Sequence, residues 1–460
     1  MSVSSRQRRV EEGLLAALQV AGRPVETYGI TERMQRYRIP ALAVAAIDDG
    51  EVAWAAGYGA QATTLFQAAS ISKAVAAVGV LALVEHGVLH LDDDVNAHLR
   101  SWRLPASEHS TGQPVTLRHL LSHTAGVTVP GFPGYPVGAA VPSVPDLLSG
   151  LGGSATPAVE SFAVPGTVSQ YSGGGSTVVQ QLVCDVTGRP FAELMHELVL
   201  APFGMVDSAY EQPLAPGRTG RAAVAHDDLG NPVTGGFHVY PELQAAGLWT
   251  TAVDLARWVI GVQQILRGER NGPISTETAR LMVTPVLDNG PFGLGPELGG
   301  EGALRRFGHS GRNEGFNSQA DGLIEAPVGG VVMATGQAAS MVAEVRRALA
   351  AEYGWGPLDV RTLDVVEVDP TLLGSYTGRY AGPFGRPMRL EYADGQLFSP
   401  ASYGRRRMFA LGDTTFVDEE TGATLEVERD GTAVRRIAVL VGGAELMAFE
   451  PVAAAEEHRT

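Results

Sequence analysis

This chain of 460 residues holds one cysteine and one lysine. The single cysteine, Cys184, excludes a disulfide within the chain, and the apolar residues at helical spacing around it predict a core position. The single lysine, Lys73, stands out because arginine fills every other one of the 34 Lys and Arg positions. A guanidinium keeps its proton in a protein, whereas a lysine amine can give its proton up and serve as a base.

Other absences restrict the class of protein. No window approaches the roughly 18 uncharged apolar residues of a membrane span, and Glu11 and Glu12 stand where an export signal needs an apolar run. The net charge of −16 disfavours nucleic acid and membranes as partners. The sequence also lacks a P-loop, an H-E-x-x-H, a C-x-x-C and a G-x-S-x-G motif. We therefore expect a cytoplasmic protein without a metal ion or a cofactor.

Strand and helix signals indicate two domains. Residues 41–47 and 51–57 are typical of a hairpin, and strand signals return at 322–326 and 330–335, after a mostly helical stretch. This order predicts an α/β domain, residues 1–355, in which helices pack on one sheet and form a helical insertion. A linker at 356–370 leads to residues 371–460, where short strands and tight turns predict a barrel or a sandwich.

Residues 70–84 carry the strongest catalytic signal. Ser70 and Lys73 are one helical turn apart, so a helix that begins near Ser70 places both side chains on one face. Lys73 can then take the Ser70 proton if burial and neighbouring cations lower its pKa. Residues 74–84 are apolar on every side, which predicts a buried central helix whose N-terminus favours negative charge at Ser70. The alternative is a surface lysine that happens to follow a serine.

Two later segments supply further candidates. Tyr171 lies in a tight polar stretch before a helix, where its hydroxyl can pass a proton to a leaving group; the alternative is a half-buried structural tyrosine. The motif His309-Ser310-Gly311 precedes the late strands, and a backbone N–H on this edge, at Arg312, can complete an oxyanion hole with that of Ser70. His123 is interpreted as structural, since nearby hydroxyls and backbone groups can satisfy its ring.

Four motifs in this order resemble those of the class C β-lactamase and penicillin-binding-protein family of serine hydrolases: Ser70-x-x-Lys73, residues 115–126, Tyr171-Ser172 after Pro165-Gly166, and His309-Ser310-Gly311. The resemblance covers about residues 28–355. It implies an antiparallel sheet flanked by helices, with a helical subdomain. It also implies Ser70 as nucleophile, Lys73 and Tyr171 as general bases and acids, and His309 where many members have lysine. Gly173, Ser310 and Gly311 would contact the substrate. The tail resembles the lipocalin-like barrel of some of these hydrolases and of related peptide cyclases.

Two departures from the family pattern bear on function. The family's Tyr-x-Asn is here Tyr171-Ser172-Gly173, which removes an amide. Its Lys-Thr-Gly is His309-Ser310-Gly311, which removes a fixed cation, because histidine is mostly neutral at cytoplasmic pH. Together with the missing export signal, both departures argue against an antibiotic-degrading enzyme and against a cell-wall transpeptidase.

Three functions remain open. The first is a serine acyl-enzyme hydrolase of ester or amide bonds in small molecules or peptides, such as an esterase or a D-amino-acid-type peptidase or amidase. The second is an acyltransferase or peptide cyclase of secondary-metabolite biosynthesis, a penicillin-binding-protein-type thioesterase, whose substrate is free or bound to a carrier protein. The third is a non-catalytic protein whose barrel binds a ligand, and the retained Lys73 argues against it.

Two arginine runs, Arg405-Arg406-Arg407 and Arg435-Arg436, stand out in the tail. Either these side chains pair with acidic residues across neighbouring strands, or one guanidinium binds a substrate carboxylate in place of the cation missing at His309.

We expect Lys73→Arg to be nearly as damaging as Ser70→Ala, although it keeps the charge and the approximate length of the side chain. An arginine cannot accept the Ser70 proton, and loss of a positioned base lowers turnover ~10²–10⁴-fold. Steady-state kinetics on p-nitrophenyl esters measures the effect. Retention of more than about a tenth of wild-type turnover would contradict the assignment of Lys73 as the base.

Overall fold

The computed structural model describes residues 4–288, 290–336, 338–356, 358, 360–382, 387–401, 403–431, 433–441 and 443–452. The chain divides into two compact units. The larger comprises Arg38–Val342 and Leu349–Gly356, and the smaller comprises Met1–Tyr37, Ala343–Ala348 and Pro357–Thr460. Within the described residues, no helix is both long enough and apolar enough to cross a bilayer.

The helices are α1 (Ser5–Glu12), α2 (Ile30–Tyr37), α3 (Ile71–Glu85), α4 (Val95–His98), α5 (Leu117–Leu121), α6 (Val144–Leu148), α7 (Gly173–Thr187), α8 (Phe191–Met195), α9 (Pro216–Thr219), α10 (Leu243–Ala246), α11 (Ala252–Leu266), α12 (Thr276–Met282), α13 (Ala339–Tyr353) and α14 (Pro370–Ser375). The first strands are β1 (Leu14–Leu15), β2 (Leu18–Val20), β3 (Thr27–Tyr28), β4 (Leu42–Asp48), β5 (Glu51–Tyr58), β6 (Phe66–Gln67), β7 (Tyr135–Pro136), β8 (Ala209–Tyr210), β9 (His238–Val239), β10 (Leu248–Thr250), β11 (Glu297–Gly299) and β12 (Arg306–Asn313). The later strands are β13 (Phe316–Leu323), β14 (Gly329–Thr335), β15 (Arg361–Leu363), β16 (Gly378–Ala381), β17 (Met388–Ala393), β18 (Gln396–Ala401), β19 (Gly404–Ala410), β20 (Thr415–Asp418), β21 (Thr424–Asp430), β22 (Ala433–Val441) and β23 (Ala444–Pro451).

The larger unit is built on a six-stranded antiparallel sheet with the strand order β11-β12-β13-β14-β4-β5. The early hairpin and the late strands thus meet in one sheet, because β4 pairs with β14 along six residues of each strand. Helix α11 packs against β4, β13 and β14, and its Trp258 ring meets that of Phe307 edge-on. This arrangement confirms the predicted α/β fold class.

Helix α3 is the buried helix that the apolar run predicted. All of its residues from Ile71 to Leu83 are buried, and α3 packs against β12, β13 and α10. Alanine favours the helix, while the several valines would weaken it in isolation, so packing on all sides has to stabilise it. The helix ends before Gly87, which takes the left-handed conformation (φ +69°) common just after a helix.

A close backbone approach joins β12 to the start of α3. A Cβ atom placed on Gly311 would lie 2.2 Å from the carbonyl oxygen of Ala68, two residues before Ser70. Only a residue without a side chain allows this spacing. Gly311 therefore has a structural reason to be glycine, and it fixes how near β12 comes to Ser70.

The smaller unit contains a closed eight-stranded antiparallel barrel, β16 to β23, which confirms the predicted barrel. Its interior residues, among them Leu390, Phe416 and Ile437, form one apolar core. In the stretch predicted as a linker, β15 pairs in parallel with β2.

Arg405, Arg406, Arg407 and Arg436 form ion pairs within the smaller unit, as the first of the two alternatives predicted. Three of the contacts join residues of neighbouring barrel strands: Arg406–Asp418, Arg436–Glu428 and Arg436–Glu445. The others are Arg405–Asp394, Arg407–Glu419 and Arg407–Glu26.

Gly311→Ala is expected to destabilise the larger unit and to abolish most labelling of Ser70 by a fluorophosphonate probe. The added methyl collides with Ala68, and overpacking of this kind costs ~1–3 kcal/mol or more. Urea unfolding followed by tryptophan fluorescence measures the stability. Gly217→Ala is the control, because a Cβ there meets nothing within 4 Å; equal effects of the two substitutions would show that the approach at Gly311 is not tight.

Candidate active site

Ser70 stands at the N-terminus of α3 with its hydroxyl free of any capping role. The turn before it needs a left-handed backbone at Ala69, whose φ is +51°. A residue with a Cβ is strained in that region, and such strain concentrates at functional sites. Ser70 is half-buried and occupies the N-cap position of α3, yet its side chain makes no capping hydrogen bond. Its Oγ atom is therefore available to the side chains around it.

Lys73 brings a buried amine to Ser70. Its Nζ lies 2.9 Å from Ser70 Oγ and donates to the carbonyl oxygen of Ala245 at 2.7 Å. The side chain is 3% exposed, and burial lowers the pKa of Lys73 to about 7, although the charges of Glu297 and Glu242 act in the opposite direction. Near neutral pH a large share of Lys73 is thus the free amine. Its lone pair can accept the Ser70 proton while an N–H still donates to Ala245.

Tyr171 approaches Ser70 from the segment just before α7. Its hydroxyl donates to Ser70 Oγ at 2.7 Å. The ring centroid lies 4.4 Å from that of His123 and 5.9 Å from that of Phe292. Burial raises the pKa of Tyr171, so the phenol keeps its proton at neutral pH. The geometry therefore suits Tyr171 to proton donation and Lys73 to proton acceptance.

His123 and Gly173 fix the segment that carries Tyr171. The Nδ1 atom of His123 accepts the backbone N–H of Ser172 at 3.2 Å. Burial lowers the pKa of His123 well below its usual value, so the neutral ring can act as this acceptor. Gly173 is buried, and a Cβ there would lie 2.7 Å from the Phe132 ring. These contacts agree with the structural interpretation of His123 and give Gly173 a packing role.

Strand β12 brings the motif His309-Ser310-Gly311 to the same site. The His309 ring centroid lies 6.0 Å from that of Tyr171, and the side chain is 1% exposed. Burial lowers the pKa of His309, so the ring is neutral, and its Nδ1 donates to the carbonyl oxygen of Ser310. Backbone N–H groups alternate between the two edges of a strand, so those of Ser310 and Arg312 point to the same edge. The oxyanion role of Arg312 stays a prediction that this direction favours.

Glu297, at the start of β11, covers one of these N–H groups. Its Oε2 accepts the Ser310 N–H at 3.1 Å, and its Oε1 accepts the Ser310 hydroxyl at 2.8 Å. The same Oε1 lies 3.5 Å from His309 Nδ1. The Glu297 carboxylate thus lies beside the motif His309-Ser310-Gly311, in which the family pattern has a lysine at the position of His309.

Sequence reasoning missed two acidic residues of this site, Glu242 and Glu297. Glu242 is 1% exposed, and burial raises the pKa of Glu242 to about 7. Its Oε2 has no hydrogen-bond partner among the described residues. Neither glutamate lies in a recognisable motif, because each comes near Lys73 only through the fold.

Lys73 and Tyr171 therefore meet at Ser70 Oγ, and His309 lies beside Tyr171. Over the stretches of chain that the structure describes, no group of three or more His, Cys, Asp or Glu side chains has the arrangement of a metal site.

Three curated proteins show sequence similarity to parts of this chain. Protein flp of Staphylococcus aureus (strain N315) is 23% identical over 246 residues, which is 50% of this chain and 47% of flp. Esterase EstB of Burkholderia gladioli is 34% identical over 160 residues, or 32% of this chain and 38% of EstB. Penicillin-binding protein 4* of Bacillus subtilis (strain 168) is 28% identical over 163 residues, or 34% and 33% of the two chains. The matched segments span under half the length of each relative.

Solved structures show the same fold at low sequence identity. The octameric penicillin-binding protein homologue from Pyrococcus abyssi aligns with a TM-score of 0.60 at 20% identity, over 92% of this chain and 98% of that one. SurE in complex with D-Leu aligns with a TM-score of 0.52 at 21% identity, over 92% and 97%. A β-lactamase/D-alanine carboxypeptidase from Yersinia pestis, complexed with citrate, aligns with a TM-score of 0.52 at 19% identity, over 69% and 95%.

The motifs that suggested the resemblance lie together around Ser70, and the fold agrees with that of penicillin-binding-protein homologues. The sequence profile of the Beta-lactamase family matches residues 30–354, well over half of the chain. The chain therefore belongs to the beta-lactamase family.

Proposed function

We propose that this protein is a serine hydrolase that forms an acyl-enzyme on Ser70 and cleaves ester or amide bonds of small-molecule or peptide substrates. The observation that carries the proposal is the position of Ser70 Oγ between Lys73 Nζ at 2.9 Å and the Tyr171 hydroxyl at 2.7 Å. A base of lowered pKa and a proton donor thus each lie within hydrogen-bond distance of the nucleophile.

Acylation follows from these three groups. The free amine of Lys73 takes the proton of the Ser70 hydroxyl as Oγ attacks the substrate carbonyl carbon. The negative charge on the carbonyl oxygen develops at the N-terminus of α3, where the N–H of Ser70, together with that of Arg312, stabilises it. Tyr171 gives its proton to the leaving group, and the proton held by Lys73 then restores the phenol.

Deacylation reverses the roles with water in place of the leaving group. Water attacks the acyl carbon, its proton passes to the amine and phenol pair, and Ser70 is released with its proton. An amine that reaches the acyl-enzyme before water gives acyl transfer instead of hydrolysis. The acyltransferase or peptide-cyclase alternative therefore shares every catalytic residue and differs only in the acceptor.

The substrate class is supported by the relatives and by the charge of the site. One relative is an esterase, one structural neighbour holds D-Leu and another is a β-lactamase/D-alanine carboxypeptidase. These names favour esters and amides of D-amino acids as substrates here. The neutral His309 and the Glu297 carboxylate offer no cation for the carboxylate of a β-lactam antibiotic, which favours the esterase or peptidase proposal over a β-lactamase.

A fluorophosphonate probe, followed by kinetics on p-nitrophenyl butyrate and on D- and L-alanine p-nitroanilides, tests the proposal. We expect wild-type protein to be labelled and to turn over an ester, and Ser70→Ala to lose both properties. Mass spectrometry of the products with an added amine separates hydrolysis from transfer. Labelling that persists in Ser70→Ala would overturn the assignment of Ser70 as the nucleophile, and an inert wild-type protein would overturn the proposal and favour the ligand-binding alternative.

The rate on a neutral ester should rise with pH through the neutral range. Protonated Lys73 cannot accept the Ser70 proton, and its pKa is about 7, so kcat/KM should increase as the amine loses its proton. Glu242, whose pKa is also about 7, titrates over the same pH range, and its negative charge acts on Lys73. Glu242→Gln removes a negative charge that favours the protonated amine, so kcat/KM of this variant should begin to rise at a lower pH than that of wild type.

The pH profile of kcat/KM for p-nitrophenyl butyrate, measured from pH 5 to 9, checks this expectation. Glu301→Gln provides the control, because Glu301 is exposed and its loss changes the net charge equally. A wild-type profile without an inflection in this range, or equal profiles for Glu242→Gln and wild type, would contradict the role given to Lys73 and Glu242.

A further inference from the structure

The polar groups of the site that the acyl-enzyme chemistry leaves unused are hydrogen-bond acceptors. They are the carboxylate of Glu297 and the Nε2 atom of His309. The Nε2 atom is buried and has no partner in the part of the chain that the structure describes. Buried acceptors without donors are costly, so a ligand that supplies N–H groups would relieve this cost.

The tautomer of His309 makes its free nitrogen an acceptor. The Nδ1 atom faces the carbonyl oxygen of Ser310 and the Glu297 carboxylate, which can only accept hydrogen bonds. Nδ1 therefore carries the proton of the neutral ring, and Nε2 presents a lone pair. The ring lies beside Tyr171, so this lone pair belongs to the catalytic site.

Glu297 is placed to receive a cation from solvent. Its side chain is 32% exposed. It accepts two hydrogen bonds from Ser310, out of about four that a carboxylate can accept. Its charge acts on Lys73, Tyr171 and His309 alike, which locates the carboxylate at the catalytic groups. Arg312 lies on the same face of β12 as Ser310 but two residues, roughly 7 Å, further along. Among the described ion pairs, none joins Arg312 to Glu297.

We propose that Glu297 binds a primary ammonium group of the substrate beside Ser70, while His309 Nε2, which points away from Glu297, accepts a separate N–H group of the same substrate. This inference rests on the proposed hydrolase function and specifies its substrate class: amine-bearing esters and amides over carboxylate-bearing ones. A charged hydrogen bond to a carboxylate is stronger than a neutral one and repels a competing anion. Glu297 is thus a specificity-determining residue, not a member of the proton-transfer chain.

Competitive inhibition of p-nitrophenyl butyrate hydrolysis by three aromatic probes of similar size but different charge tests the proposal. In wild type we expect benzylammonium to inhibit at roughly tenfold lower concentration than benzyl alcohol, and benzoate to be the weakest. In Glu297→Gln, which keeps the shape and an acceptor for Ser310, the advantage of benzylammonium should disappear. Glu301→Gln should retain it. The same order should appear in kcat/KM for D-alanine p-nitroanilide against its N-acetyl and N-succinyl forms.

Two results would overturn the inference while the hydrolase function stands. One is equal inhibition by benzylammonium and benzyl alcohol in wild type. The other is an equal change for all three probes in Glu297→Gln, which would mean that Glu297 only holds Ser310 and His309 in place. If no Ser70-dependent hydrolysis occurs, the proposed function fails, and calorimetric titration of benzylammonium into wild type and Glu297→Gln still decides whether the carboxylate binds the cation.

Discussion

The contact on which this site depends is the one between a buried lysine amine and a serine hydroxyl one helical turn away. Burial moves the pKa of Lys73 from 10.5 to about 7, which disfavours the charged form by on the order of 5 kcal/mol. This cost to folding is fully present below pH 7 and disappears above the unfolded pKa, where the amine is neutral in both states. The apolar helix α3 therefore gives up stability to hold a base beside Ser70.

Two glutamates near Lys73 limit how far burial lowers its pKa. Glu242 and Glu297 both favour the protonated amine, whereas burial opposes it, and the balance leaves the pKa near neutral. A carboxyl buried as deeply as Glu242 has its own pKa raised to about 7, so Lys73 and Glu242 titrate over the same pH range. A base whose pKa lies near the working pH is the most effective for proton transfer.

The second constraint is the approach of β12 to the start of α3. Gly311 brings the strand within contact of Ala68, and the alternation of N–H groups then directs those of Ser310 and Arg312 to one edge. Glu297 covers the first of the two. In the functions proposed above, the second is the oxyanion donor and Glu297 selects the charge of the substrate, so the two proposed roles belong to neighbouring residues.

The local features of this protein could be read from the amino-acid sequence. The spacing of Ser70 and Lys73, the apolar run of α3, the hairpin of β4 and β5, and the short strands of the tail depend on periodicity and turn residues, which a sequence displays directly. The order of four motifs also identified the family. Which distant groups surround the Lys73 amine became visible only in the folded chain. Glu242 and Glu297 are 169 and 224 positions from Lys73 in the chain, and no local pattern marks them. Burial and long-range contacts exist only once the chain has folded. They lower the pKa of Lys73, keep the phenol of Tyr171 protonated and place the Glu297 carboxylate beside β12.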